Sequence, residues 1–227
     1  VLAVIQARVA SSRFPGKILA PLCGEAIISR VVHRVWQIGW PRDTPIVVAV
    51  PNAADMVAVK WVLETSKLEG TTGVQVVSPT TERPPYDVLG RIVEVANRDK
   101  RCTWVLRVCA DNPLLSPAQA EQLLEQRCYV SSDVDYIAFQ DSDGTPSITR
   151  PYGTLCELVR LATLNDMDRS MSEVDVEGRE HVTKRLYDGS RSACTEWLPH
   201  KPIAMRAIDT PDDLYAVTRF MEDPCSD

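Results

Sequence analysis

The chain has 227 residues, enough for one large α/β domain with a substantial core and too few for two full domains. Lys and Arg total 25 against 31 Asp and Glu, a formal charge of −6, so no overall positive field exists to hold a nucleic-acid backbone. The seven cysteines are odd in number and scattered without a Cys-x-x-Cys pair, which argues against a secreted disulfide framework or a zinc ribbon and fits a reducing cytoplasm.

In chain order, the β-branched run Val1-Leu-Ala-Val-Ile-Gln6 reads as a strand over residues 1–6, opening into Ala7-Arg8-Val9-Ala10-Ser11-Ser12-Arg13-Phe14-Pro15-Gly16-Lys17. Three cations (Arg8, Arg13, Lys17), two hydroxyls and a late glycine in one short turn suit a polyanion, and a nucleoside triphosphate is the candidate ligand. This is not a Walker A loop: the first glycine is missing and no Ser or Thr follows Lys17, which disfavours ATPase chemistry. Val1 sits inside the expected strand, which leaves room for a neighbouring domain in a longer chain. No stretch approaches the ~20 apolar residues of a membrane span and no signal-type segment opens the chain, so a soluble protein with no membrane partner is expected.

A helical stripe over 25–38 carries Ile27, Ile28, Val31, Val32, Val35 and Ile38, and similar patterns follow at 55–63 and 86–96. Strands at 46–50, 74–77 and 103–108 alternate with these helices, the signature of crossover units feeding a mostly parallel sheet. Pro41, Pro45, Pro51, Pro79, Pro84 and Pro85 punctuate the connections. Ser116 caps a predicted helix through about Cys128, a strand is expected over 134–139, and Asp141-Ser-Asp-Gly144 is a turn. The last third reads as helices over 155–167 and 174–187, short strands near 193–198 and 203–208, and a closing helix from Pro211. The expected fold class is three-layer, Rossmann-like α/β: a mostly parallel mixed sheet with helices on both faces and a small appendage.

Three further clusters carry chemistry. Asp111 follows the strand at 103–108, and in an open parallel sheet ligands bind outside the carboxyl ends of strands, so Asp111 and the 7–17 loop face one crevice. Asp209 also ends a strand just before a helix; with Asp111 it supplies the one or two carboxylates that Mg²⁺ on a triphosphate requires, although helix capping explains it equally well. Glu177-Gly178-Arg179-Glu180-His181-Val182-Thr183-Lys184-Arg185 can present Arg179, His181 and Lys184 to an acidic acceptor, or form a solvated helix face with Glu180 and Lys184 paired. His33, His200 and the cysteines are assigned no chemistry.

Ala-Arg-x-x-Ser-x-Arg-Phe-Pro-Gly-Lys at 7–17, Asp-Val-Leu-Gly-Arg at 87–91, Arg-Val-x-Ala-Asp-Asn-Pro-Leu at 107–114, Arg-Glu-His-Val-Thr at 179–183 and Asp-Thr-Pro-x-Asp-Leu at 209–214 occur in this order. Together they resemble the CTP-dependent cytidylyltransferases of the spore-coat polysaccharide type, whose relatives activate sugar acids or alkylphosphonates. The resemblance implies a nucleotide-diphospho-sugar-transferase-like fold, CTP as co-substrate, Mg²⁺ as cofactor and a homodimer. It implies one cytidylyltransferase domain over 1–227, with a nucleotide-binding part at 1–130 and an acceptor-binding and dimerisation part at 131–227. By position it implies that Arg8, Ser11, Arg13 and Lys17, with Ala7 and Ser12 of the same loop, bind the triphosphate. Asp111 and Asp209 are then the Mg²⁺ ligands, Asp87 and Arg91 lie in the nucleotide pocket, and the implied catalytic set is Arg8, Lys17, Asp111 and Asp209.

Where the family shows Pro-Asp-Gly followed by Asp-x-Glu, this chain reads Pro151-Tyr152-Gly153-Thr154-Leu155-Cys156-Glu157, and Gly178 replaces a glutamate. Glu157, the retained acid, is expected on the acceptor side with Arg150, Arg179, His181 and Lys184. Fewer carboxylates there favour a compact dianion, which puts an alkylphosphonate on equal footing with a sugar acid. The competing readings are a glycosyltransferase using Asp133-Val-Asp135 or Asp141-Ser-Asp143, a non-catalytic nucleotide-binding module, and a cysteine-dependent enzyme.

Overall fold

The computed structural model describes residues 1–40, 44–200 and 206–222. Its centre is β1 (Leu2–Gln6), whose Leu2, Ala3, Val4 and Ile5 are almost wholly buried. Parallel neighbours β4 (Ile46–Ala49) and β6 (Trp104–Cys109) flank it, and β5 (Gln75–Val77) extends the β4 side. Beyond β6 come β8 (Glu157–Arg160), antiparallel to both its neighbours, then β7 (Tyr136–Gln140) and β9 (Thr195–Pro199). The seven-stranded order is β5-β4-β1-β6-β8-β7-β9.

Strands buried on both faces must be apolar throughout, and helices cover both faces here. On one side Ala3, Ile5, Val48, Leu106 and Leu158 pack against α1 (Ile27–Trp36), α2 (Ala53–Thr65) and α4 (Pro117–Gln126). On the other, Leu2, Val4, Val105 and Val159 meet α3 (Val88–Asn97) and α5 (Leu161–Ser170). Two short helices, α6 (Val176–Glu180) and α7 (Lys184–Tyr187), follow, and α8 (Pro211–Glu222) closes the described chain. Among the described residues no helix is long and apolar enough to cross a membrane.

Ser116 caps α4 as read from sequence, accepting from the Gln119 amide at 3.3 Å with Pro117 in the first turn, whereas the helix expected over 55–63 runs longer, over Ala53–Thr65, because Asn52 caps it by accepting from the Asp55 amide at 2.9 Å. The stripe expected from residue 25 begins at Ile27, because Pro21–Leu22 (β2) and Glu25–Ala26 (β3) form a two-stranded hairpin. Its turn places Cys23 at φ 49° and Gly24 at φ 84°, the left-handed pair that tight hairpins need.

Two further expectations are corrected and a third falls partly outside the described residues. The helix expected over 155–167 is a strand, β8, followed directly by α5: Leu158 faces one core and Val159 the other, a two-residue alternation that a short apolar run does not distinguish from helix. The helix expected over 174–187 is split into α6 and α7, with His181 between them at φ −93° and ψ 63°, outside the helical region. Of the strand expected at 203–208, residues 203–205 lie outside the described residues, as does Pro41, and Arg206 makes only an isolated bridge to Tyr152.

Candidate active site

A cavity of about 350 Å³ opens where β1 and β6 end, the point at which the strand order reverses direction from β1. The 7–17 loop forms one wall. The Ala7 amide continues the β4 ladder to the Ala49 carbonyl at 3.0 Å, and the Val9 amide donates to Asp55 at 2.8 Å, tying the loop to the first turn of α2. Gly16 then takes φ 75°, a left-handed turn that suits glycine, and begins the 3₁₀ turn Lys17–Leu19.

Lys17 is the electrostatic centre. Although 8% exposed, its ammonium donates to Asp111 at 2.6 Å and to Asp209 at 2.9 Å. Burial pulls its pKa down, but the two carboxylates outweigh that and hold it above the ordinary lysine value. Arg13 adds a second cation to Asp209 at 2.8 Å, and Arg8 pairs with Glu180 at 2.7 Å. The Ile208 amide donates to the Asp111 carbonyl at 2.9 Å, which brings these sequence-distant aspartates together. Asp209 is not the cap of α8. Thr210 accepts from the Asp213 amide at 3.2 Å while Asp213 accepts from the Thr210 amide at 2.8 Å, a reciprocal box that leaves the Asp209 carboxylate facing Lys17.

Of the residues singled out in the sequence, Ala7, Arg8, Ser11, Ser12, Arg13, Lys17, Arg91, Asp111, Arg150, His181 and Asp209 line the cavity. Arg91 is 2% exposed and, among the described residues, makes no ion pair, reaches only the Pro85 carbonyl at 3.4 Å and leaves its Nε without a partner. Burial, then repulsion by Arg8, lowers its pKa to about 10. A guanidinium so enclosed is a receptor for electron-rich ligand oxygens.

Four others are not brought to the cavity lining. Asp87 caps α3 through the Gly90 amide at 2.9 Å and pairs with Arg179 and Arg83, each at 2.8 Å. Arg179, 3% exposed, is consumed by Asp87 and Asp168, so this pair staples α6 to α3. Lys184 pairs with Glu177 on the surface. Glu157 lies 1% exposed beneath the floor, accepting from Arg107 and from the Tyr136 hydroxyl.

Sequence reasoning missed the floor itself. Arg107 lines the cavity, with Nε on the Gln6 side-chain oxygen at 2.8 Å and Nη1 on Glu157. The available signal was an arginine within an otherwise apolar central strand, where an unpaired charge is not tolerated. Cys109 also lines the cavity, but burial pushes its thiol up to about 11, so it is no thiolate nucleophile at neutral pH. Neither Asp-x-Asp pair reaches the lining: Asp135 holds Thr163 and the Cys194 amide, and Asp141 is saturated by neighbouring donors.

Asp111 and Asp209 fit a divalent cation. Hard oxygen ligands converge on one cationic point, and no group of three or more His, Cys, Asp or Glu forms an all-protein cage among the described residues. Two carboxylates completed by triphosphate oxygens and water are the donor set that Mg²⁺ accepts.

The profile of the family described as Cytidylyltransferase matches residues 2–175. Spore coat polysaccharide biosynthesis protein SpsF of Bacillus subtilis (strain 168) is 29% identical over 186 residues, 81% of this chain and 68% of that protein. Among solved structures, a cytidylyltransferase from Leptospira borgpetersenii serovar Hardjo-bovis superposes with a TM-score of 0.77 at 17% identity, over 97% of this chain and 86% of that one. A CMP:2-keto-3-deoxy-manno-octonic acid synthetase complexed with CTP gives 0.70 at 17% identity, covering 98% of each chain. A Mycobacterium tuberculosis protein solved as a manganese complex gives 0.60 at 16% identity, over 96% of this chain and 98% of that one.

Proposed function

The chain belongs to the cytidylyltransferase family and is a CTP-dependent nucleotidyltransferase; from that premise we propose that it transfers CMP to a small acidic acceptor, an alkylphosphonate or a sugar acid, releasing pyrophosphate. The observation that carries the reading is the convergence of Lys17 and Arg13 on Asp111 and Asp209 at the strand tips, inside a cavity that also holds Arg91, buried and without an ion pair among the described residues.

In this proposal an acceptor oxygen attacks the α-phosphorus of CTP and pyrophosphate departs. Little covalent work falls to the protein, so positioning and charge neutralisation dominate. Arg8, Arg13 and Lys17, with Ser11 and Ser12, hold the β- and γ-phosphates and stabilise the departing pyrophosphate. Arg91 takes an oxygen of the nucleotide within the buried part of the pocket. Asp111 and Asp209 hold Mg²⁺, which when bound polarises the α-phosphate as a Lewis acid. Arg150 and His181 face the acceptor. A phosphonate oxygen is ionised near neutral pH and needs no general base; among the described residues the lining carboxylates are Asp111, Asp209 and Glu180.

The reading is tested by pyrophosphate release with Mg²⁺, a panel of short phosphonates and sugar acids, and CTP against ATP, GTP and UTP. Release is expected with CTP and an acidic acceptor. Equal release with ATP, or none with any acceptor, refutes it. Homodimerisation is part of the same proposal and is read by sedimentation.

A further inference from the structure

The stretch linking β7 to β8 contributes Arg150 and Tyr152 to the cavity wall, and both are organised by one carboxylate that does not reach the cavity lining. Asp141, at the end of β7, is 8% exposed. Its Oδ1 accepts from the Ser147 hydroxyl at 2.5 Å and stands 3.1 Å from His200 Nδ1. Its Oδ2 accepts from the Tyr152 hydroxyl at 3.0 Å and pairs with Arg150 Nε at 3.4 Å. Three hydrogen-bond partners and one ion-pair contact thus surround the carboxylate.

Two of the four, Ser147 and His200, are 0% and 5% exposed and do not line the cavity. His200 Nε2 has no partner among the described residues, and the ring packs 4.9 Å from that of Tyr152. The only polar side-chain contact of the His200 ring among the described residues is with Asp141, so it serves to hold that carboxylate, as Ser147 does. Asp141 in turn holds the two side chains that do face the cavity. Burial pushes its pKa up, but hydrogen bonds from Ser147, His200 and Tyr152 outweigh that and keep it ionised.

An ionised carboxylate accepts and cannot donate, so the Tyr152 proton points at Asp141 and the phenol oxygen retains only acceptor capacity. Arg150 stands with Nε 3.4 Å from Asp141 as an ion pair and gives Nη2 to Asp143 at 2.8 Å and to the Thr145 hydroxyl at 3.4 Å, so among the described residues Nη1 remains as a donor. The wall therefore presents one cationic donor beside one neutral acceptor. It is also tied to the aspartates: Tyr152 bridges to Arg206, and the Ala207 amide donates to the Pro151 carbonyl at 3.0 Å, two residues before Asp209.

We infer that Asp141 is a positioning residue that fixes Arg150 and Tyr152 as a recognition pair for an acceptor carrying an oxyanion together with a hydroxyl or ammonium group. This rests on the cytidylyl-transfer reading and narrows its acceptor. The test uses CTP, Mg²⁺ and 2-hydroxyethylphosphonate, 2-aminoethylphosphonate, ethylphosphonate and 3-deoxy-manno-octulosonate, with CTP affinity measured separately by calorimetry. The wild type is expected to prefer donor-bearing acceptors over ethylphosphonate. Asp141→Asn is expected to raise the KM of the best acceptor about tenfold or more while the Kd for CTP stays within about twofold, and Tyr152→Phe to erase the preference over ethylphosphonate.

An unchanged acceptor KM in Asp141→Asn, or a preference that survives in Tyr152→Phe, overturns the inference alone. So does a parallel rise in the CTP Kd, which marks a general structural role. Should Asp141→Asn not fold, Tyr152→Phe, which removes one hydroxyl, decides by itself. A wild type that turns over none of the four acceptors refutes cytidylyl transfer to this class, and the inference with it.

Discussion

Glu157→Gln separates a structural carboxylate from a substrate ligand. The two oxygens of Glu157 face different donors, Oε2 toward Arg107 Nη1 and Oε1 toward the Tyr136 hydroxyl. Glutamine has one acceptor oxygen; with it kept on Arg107 the NH₂ can donate to the rotated Tyr136 hydroxyl, so the main loss is that the enclosed Arg107 charge no longer has a counter-ion. Both side chains are enclosed, at 9% and 1% exposure. Breaking such a pair costs about 3–5 kcal/mol, and the near-isosteric amide puts this variant near about 3. With about 2.1 cal/mol/K of unfolding entropy per residue, a 227-residue chain loses about 2 °C of Tm per kcal/mol, hence about 6 °C. Calorimetry and urea unfolding of the ligand-free protein measure this directly. Replacing the whole group, Arg107→Met with Glu157→Leu and Tyr136→Phe, is expected to restore most of the loss, because apolar side chains of similar volume leave no orphaned charge. A Glu157→Gln protein that melts within about 2 °C of wild type but loses acceptor affinity refutes this reasoning and returns Glu157 to the acceptor site.

Lys17→Met is expected to lower pyrophosphate release from CTP by about 10²-fold or more with an unchanged far-UV circular dichroism spectrum; near-normal turnover removes Lys17 from the phosphate site. Arg91→Met removes a buried charge that makes no ion pair among the described residues and feels Asp87 and Asp55 only at a distance, so the ligand-free protein is expected to melt about 2–4 °C higher while the Kd for CTP rises about tenfold or more. Calorimetry of the two states decides it, and a lower Tm with unchanged CTP binding makes Arg91 structural. Glu94 has its carboxyl lowered from 4.5 to about 2; burial opposes this, and hydrogen bonds from Thr80, Arg98 and Thr81 outweigh it. A folded-state pKa below the unfolded value gives stability that is fully present above about 4.5 and is lost as pH falls towards about 2. The urea midpoint of wild type should therefore exceed that of Glu94→Gln at pH 7 and converge with it in that acid window; a pH-independent gap contradicts the assignment.

What could be read from the chain alone was whatever neighbouring residues settle among themselves. Apolar runs marked β1, β4, β5 and β6, with prolines beside β4 and β5, and Ser116 opened α4, because strand patterns, helix stripes and caps are short-range effects. The cationic 7–17 turn and the aspartate beyond β6 were legible for the same reason, since each fits a phosphate or a metal by local chemistry. Other assignments waited on the tertiary structure because they depend on which distant group arrives. Asp209 was cap or ligand until Thr210 and Asp213 took the capping and Lys17 took the carboxylate. Glu157 looked available until antiparallel pairing set it against Arg107, and Asp87 and Arg179 until each neutralised the other between α3 and α6. A charge takes its role from the partner that burial brings to it, and the pairs Arg107 with Glu157, Asp87 with Arg179 and Lys17 with Asp209 are 50, 92 and 192 residues apart in sequence.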